Sequence, residues 1–230
     1  MPAFDLLVSS GLGSLLGIRH AFEPDHLAAV STLIGRERNG YRAALLGAYW
    51  GLGHTLALLA GGTFLVALRR QMPPALTDAF ELAVAAMLVW LGLRAIQIAA
   101  QMGPAGPVSS HHHGRVVHTH AGTPAHLHIG RWTLARRPLV IGAVHGLAGS
   151  GALTSLVLAT LPSTSARLTY MMVFGLGSTL GMAALSGLLG WPLARLGTHQ
   201  AIGRTISFVV GGLSTIVGLM WGYPAVARIF

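Results

Sequence analysis

Apolar positions along this chain come in long blocks, not in the alternation of strands or the narrow stripe of a soluble helix. A helix needs about 20 predominantly apolar residues to cross a bilayer. Six blocks reach that length, at 4–34, 43–68, 78–100, 138–161, 168–195 and 202–223. The first is too long for one straight span, and Pro24 interrupts it. The pattern predicts an all-α, polytopic membrane protein of about six transmembrane helices, the first broken at Pro24. Connectors are short except between 101 and 137, where Gly, Pro and His occur without helical periodicity, and this stretch reads as a mobile loop. The chain thus divides into 1–100, a His-rich loop at 101–137, and 138–230.

The two membrane segments repeat one another. Gly51-Leu52-Gly53-His54-Thr55-Leu56 recurs as Gly175-Leu176-Gly177-Ser178-Thr179-Leu180. At nearly the same offset, Gly17-Ile18-Arg19-His20-Ala21 aligns with Gly142-Ala143-Val144-His145-Gly146, and Leu91-Gly92-Leu93 with Val217-Gly218-Leu219. Three spans per half is an odd number, so the halves would run in opposite directions, as two inverted three-helix repeats.

Composition agrees with a bilayer as solvent. Hydrophobic residues make up 53% of 230 residues and charged residues 9%, with mean hydropathy +0.63. Soluble domains carry roughly 25% charged residues. The absence of Cys excludes disulfides and thiol redox chemistry. The absence of Lys excludes a Walker A phosphate loop, so transport would draw on ion gradients, the membrane potential or another subunit. The formal +9 charge is spread over short connectors without a basic stripe or interleaved aromatics, which argues against nucleic acid as a partner. The arginines instead mark topology. Arg36, Arg38, Arg42, Arg94, Arg115, Arg131, Arg136, Arg137, Arg195 and Arg204 flank the odd connectors, against Arg69, Arg70, Arg167 and Arg228 on the other side. Cytoplasmic loops carry the excess of positive charge, so the 101–137 loop is expected inside and both termini outside. The N-terminus lacks the basic start of a signal peptide, so the first block reads as a retained helix.

Ionisable residues at membrane depth are functional candidates by default. The first block holds Arg19, His20, Glu23, Asp25 and His26. On a straight helix, residues six apart point in different directions. Pro24 lacks an N–H, and its ring clashes with the carbonyl of His20. A break there would turn His20, Asp25 and His26 towards one centre and free a backbone carbonyl as an additional ligand. Irregular backbone is tolerated at membrane depth where it lines a cavity. His54, midway along the second block, is the fourth member. Several imidazoles with a carboxylate suit Ni(II), Co(II), Zn(II) or Cu(II), and disfavour Mg and Ca. His20, Asp25, His26 and His54 are therefore the candidate metal ligands, with Glu23 and His145 as additional candidates. The competing account of a single buried His is a helix–helix hydrogen bond, and Arg19 and Glu23, four apart, are expected to pair on a helix.

Arg19-His20-Ala21-Phe22-Glu23-Pro24-Asp25-His26 resembles the His-x4-Asp-His signature of the nickel/cobalt transporter family, and Gly53-His54-Thr55 is similar to that family's Gly-His-Ser/Thr motif. The resemblance extends thinly over most of the chain. It departs in having about six spans where many members have eight, and in lacking the family's later acidic motif, near which Val144-His145-Gly146-Leu147-Ala148-Gly149-Ser150 stands. It looks more like the compact relatives called urease accessory permeases. The resemblance implies a membrane permease for nickel or cobalt. Membrane domains of cytochrome/disulfide reductases look similar in architecture but depend on paired Cys, absent here.

The loop carries His111, His112, His113, His118, His120, His126 and His128. These would capture or buffer metal on the cytoplasmic side, or else form a solvated linker. A cytoplasmic metallochaperone is a candidate partner beside the lipid bilayer and the ion, and the oligomeric state stays open. The sequence reading is thus a non-enzymatic plasma-membrane permease, with uptake driven by the potential. Two alternatives stand beside it: efflux through the same site, and an intramembrane serine protease of the rhomboid type built on Ser150. The protease lacks the expected His in 202–223, leaving His145 as the only local base.

Overall fold

The computed structural model describes residues 3–35, 37, 39–101, 109–113, 116–120, 127–129, 132–134, 136–161, 163–196 and 200–229. Among these residues, seven helices follow in chain order: α1 (Ala3–His20), α2 (Pro24–Ile34), α3 (Gly40–Leu68), α4 (Pro74–Gln101), α5 (Arg136–Thr160), α6 (Thr164–Leu196) and α7 (Gln200–Ile229). Each apolar block corresponds to one helix, except the first, which is split into α1 and α2.

That split has a local cause. Pro24 cannot donate to the helix ladder, but its fixed φ suits the first helical position, where it starts α2. Glu23 precedes it in extended conformation (φ −64°, ψ 147°). The end of α1 is closed by tight turns, with Phe22 N–H on the Arg19 carbonyl (2.9 Å) and Glu23 N–H on the His20 carbonyl (3.1 Å). That turn takes up the His20 carbonyl, four residues before Pro24. Further on, Asn39 caps α3 by accepting from the Tyr41 N–H at 2.8 Å. Arg69 ends α3 in the left-handed region (φ 51°), and the Arg70 N–H returns to the Leu65 carbonyl at 3.1 Å.

Helix α3 lies at the centre, packed against α5 and α6, while α4 packs on α7 and α1 on α6. Small residues set these approaches. A Cβ on Gly17 of α1 would collide with the Phe174 carbonyl and the Ser178 amide of α6; a Cβ on Gly142 of α5 would collide with the Trp50 carbonyl and the His54 amide of α3. Gly51 lies against Thr179 and Gly175 against Thr55, while Gly92 meets Gly211 and Thr215 as Gly218 meets Ala85 and Val89. Contacts made by one half recur in the other with the partners exchanged. Polar side chains reinforce them: Thr55 Oγ1 donates to the Gly175 carbonyl (2.7 Å), and Ser214 Oγ to the Leu88 carbonyl (2.9 Å). Close backbone approach through small residues, with hydroxyls bonding across helices, is the packing mode of helices in lipid.

Among the described residues, four helical stretches are long and apolar enough to cross a membrane: Gly40–Leu68, Pro74–Gln101, Thr164–Leu193 and Ala201–Ile229. They leave large apolar side chains facing outward, among them Leu188, Leu213, Leu219 and Met220. The break leaves the first block as two shorter helices, α1 of 18 residues and α2 of 11.

The 101–137 segment, read from the sequence as a loop without helical periodicity, has no helix in its described part after Gln101 and before Arg136. Its described backbone forms two antiparallel hairpins, β1 (Ser109–His113) with β2 (Val116–His120), and β3 (Leu127–Ile129) with β4 (Trp132–Leu134). The β-branched Val116, Val117 and Thr119 favour strands, and only two residues separate β1 from β2, as in a tight hairpin. His111 stands opposite His118. His126 lies outside the described residues, and for the other six loop histidines the backbone alone is described.

Candidate metal centre

The break at 21–23 turns the chain so that the last residue of α1 and the first turn of α2 face the same interior point. His20 ends α1, and Asp25 and His26 open α2. His54 comes from the middle of α3 and His145 from α5. Asp25, His26, His54 and His145 are buried, and His20 is partly so. The rings close on one another: His20 to His26 at 4.4 Å between centroids, His20 to His54 at 5.2 Å, His26 to His54 at 5.4 Å, and His26 to His145 at 4.4 Å.

Two carboxylates hold the rings of this cluster. Asp25 accepts at Oδ1 from His26, through its backbone N–H (2.9 Å) and its Nδ1 (3.0 Å), and at Oδ2 from His145 Nε2 (2.9 Å). Glu23 Oε2 lies 3.0 Å from His20 Nδ1. The expected Arg19–Glu23 pair gives way to this one, because the helix ends at His20 and the turn redirects Glu23. An ionised carboxylate only accepts, so it places the ring proton on the nitrogen facing it. The opposite nitrogen keeps its lone pair. His20 Nε2 and His26 Nε2 are those nitrogens, and both are buried without a hydrogen-bond partner among the described residues, as are both ring nitrogens of His54. A carboxylate behind an imidazole whose other nitrogen is free is the arrangement that orients histidines on metals.

Donor atoms fall into two groups, His20/His26/His54 and Asp25/His26/His145, each with one ligand atom per residue all within 4.8 Å of one another. The four residues singled out as ligands are thus brought together, and His145 and Glu23 stand directly beside them. Two wall residues carried no signal in the sequence reading. Trp50 lies 5.3 Å from His26 and 5.8 Å from His145, and Phe174 lies 5.4 Å from His20, all between ring centroids. The repeat offers the one hint, since Trp50 and Phe174 each stand one residue before the repeated Gly-Leu-Gly, and His145 aligns with His20.

Comparison with known proteins adds a family. Over 223 residues, covering 97% of this chain and 94% of the relative, the sequence is 33% identical to the urease accessory protein UreH of Bacillus sp. (strain TB-90). It is 29% identical over 189 residues to the chloroplast protein FOR GROWTH AND FERTILITY 2 of Arabidopsis thaliana, and 28% identical over 190 residues to FOR GROWTH AND FERTILITY 1. The chain spans 48% and 50% of the length of those two plant proteins. No family model matches the chain, and no solved structure matches it.

Proposed function

We propose, from the premise that this chain belongs to the family of the urease accessory protein UreH, that it is a multi-pass membrane permease for a divalent transition-metal ion. One observation carries the reading: imidazole nitrogens of His20, His26 and His54 converge in a buried pocket with their lone pairs unused. Leaving a buried polar atom unpaired costs about 1–3 kcal/mol. A dication among them gives several such atoms a partner at once. His20, His26 and His54 would face the ion, while Asp25 lies close enough to ligate and also holds His26 and His145 in place. Imidazole with a single carboxylate selects Ni(II), Co(II) or Zn(II) over Mg and Ca. Membership of a urease accessory family, together with the resemblance of His20–His26 to nickel/cobalt transporters, favours nickel or cobalt.

The spans are six, in two inverted repeats, with α1 and α2 together counting as one. The matching contacts of Gly17 on Phe174 and Ser178 and of Gly142 on Trp50 and His54, with Gly51 on Thr179 and Gly175 on Thr55, support this. The Arg asymmetry favours a plasma-membrane orientation with the His-rich loop inside, where its histidines would buffer arriving metal. An inside-negative potential favours entry of a dication by about 4.6 kcal/mol per 100 mV, two charges at about 2.3 each. Uptake therefore needs no ATP. The protein is not an enzyme in this reading. His145, the local base on which the protease alternative rests, is engaged with Asp25.

The test is flux into proteoliposomes containing the full chain, with an imposed potential and a panel of Ni, Co, Zn, Mg and Ca. The expected result is potential-driven entry of Ni or Co, with Mg and Ca excluded. Outward flux against an inside-negative potential, coupled to another ion, would reassign the same site to efflux. No flux of any of the five would overturn the permease.

A further inference from the structure

We propose that the cluster contains two adjacent ion stations which share His26, and that the ion passes from one to the other. This rests on the permease reading and adds a role for His145. The first station is His20, His26 and His54; the second is Asp25, His26 and His145. They differ in charge and in access. The first offers neutral nitrogens, and its His20 side chain is 17% exposed beside a Glu23 that is 49% exposed. The second offers a carboxylate and is enclosed, with side-chain exposures of 8% for Asp25, 1% for His26 and 3% for His145. Exposure therefore orders the path: an ion arriving past Glu23 meets the first station before the second.

His26 explains why the stations are used in turn. A neutral imidazole has one lone pair. With Nδ1–H bonded to Asp25, as the geometry has it, that lone pair lies on Nε2 and serves the first station. To serve the second, beside the carboxylate, His26 must carry its proton on Nε2 and His145 its proton on Nδ1, each freeing the nitrogen that faces Asp25. His26 can ligate in only one station at a time, so the chain holds one ion, not two. Moving inward exchanges two imidazoles for a carboxylate and the His145 ring, and shifts the bond to His26 from Nε2 to Nδ1 as its ring proton moves the other way. His145 comes from α5, whereas the other members come from α1, α2 and α3, so the second station joins the two halves of the chain across the Asp25–His145 bond.

The experiment uses the full-length protein with Co(II) as a spectroscopic probe of ligand type, read by optical bands and cobalt-edge X-ray absorption beside proteoliposome flux. Wild type is expected to bind one Co(II) in the cluster. His145→Ala should still bind one Co(II), with nitrogen ligands only, yet lose flux. His54→Ala should also bind one, now with mixed nitrogen and oxygen ligands, and lose flux. His145→Gln keeps a hydrogen-bonding side chain towards Asp25 but is a poor metal ligand, and it should be as defective as His145→Ala. Wild-type flux in His145→Gln would make His145 a structural partner only and overturn the second station. Loss of all Co(II) from a folded His54→Ala variant would reduce the cluster to one station. A wild-type protein that binds no Co(II) would overturn the permease reading itself, which separates that failure from this one.

Discussion

The two halves of this chain pack by the same rules and carry different chemistry. Gly17 and Gly142 occupy matching places, each pressed against the backbone of the opposite half, and Gly51 and Gly175 each meet a threonine of it, Thr179 and Thr55. Where the first half has Trp50, His54 and Thr55, the second has Phe174, Ser178 and Thr179. Thr55 and Thr179 bond each other at 2.8 Å across the interface, so that pair serves the scaffold. His54 and Ser178 do not match, and both are fully buried. The second half builds the same helix packing with a serine where the first half puts an imidazole. Packing alone therefore does not demand His54. The histidines are placed for something the scaffold does not need, and His145 is the second half's single contribution to the cluster.

The largest effect should come from the residue common to both donor groups. His26→Ala is expected to lower metal flux by more than about 100-fold while the protein still inserts, because loss of even an orienting partner costs about 10–100-fold; flux in proteoliposomes at matched protein density checks this. Next is Asp25→Asn, which retains the shape and loses the charge. It should weaken metal affinity by about 10–100-fold, measured by competition with a chelating dye. An unchanged affinity would place the carboxylate outside the site's function.

The shared packing predicts smaller and equal costs. Gly17→Ala and Gly142→Ala each push a methyl into backbone of the opposite half, and each should destabilise by about 1–3 kcal/mol. Thermal unfolding in detergent reads both, and a large inequality between them would break the symmetry of the comparison. Ser178→Ala marks the other limit. Its hydroxyl has no hydrogen-bond partner among the described residues, so its loss should leave flux within about twofold of wild type, against the loss expected of His54→Ala. Smallest of all on flux is replacement of the seven loop histidines by Ser, which should change metal retention and not the transport rate. Complete loss of transport in that variant would draw the loop into the permeation path.

The helices were legible because a bilayer demands long apolar blocks, and the break was legible because Pro24 can only begin a helix there. His20, Asp25, His26 and His54 stood out as ionisable groups in apolar surroundings. What periodicity could not reveal was pairing across the chain. The Asp25–His145 bond joins residues 120 apart, and Trp50 looks like any apolar residue until the fold sets it against both His26 and His145. Glu23 was misassigned to Arg19 because helical spacing was assumed across a turn that ends the helix. The hairpins of the His-rich loop were missed because interspersed histidines mask the β-branched residues of short strands.

The central claim, that the buried cluster and not the His-rich loop is the transport site, is tested most directly by equilibrium Ni(II) binding to the full chain with all seven loop histidines replaced by Ser. The account predicts one Ni(II) per chain in that background and none after His26→Ala is added. Binding that disappears with the loop histidines alone, or survives unchanged in the His26→Ala chain, would contradict it.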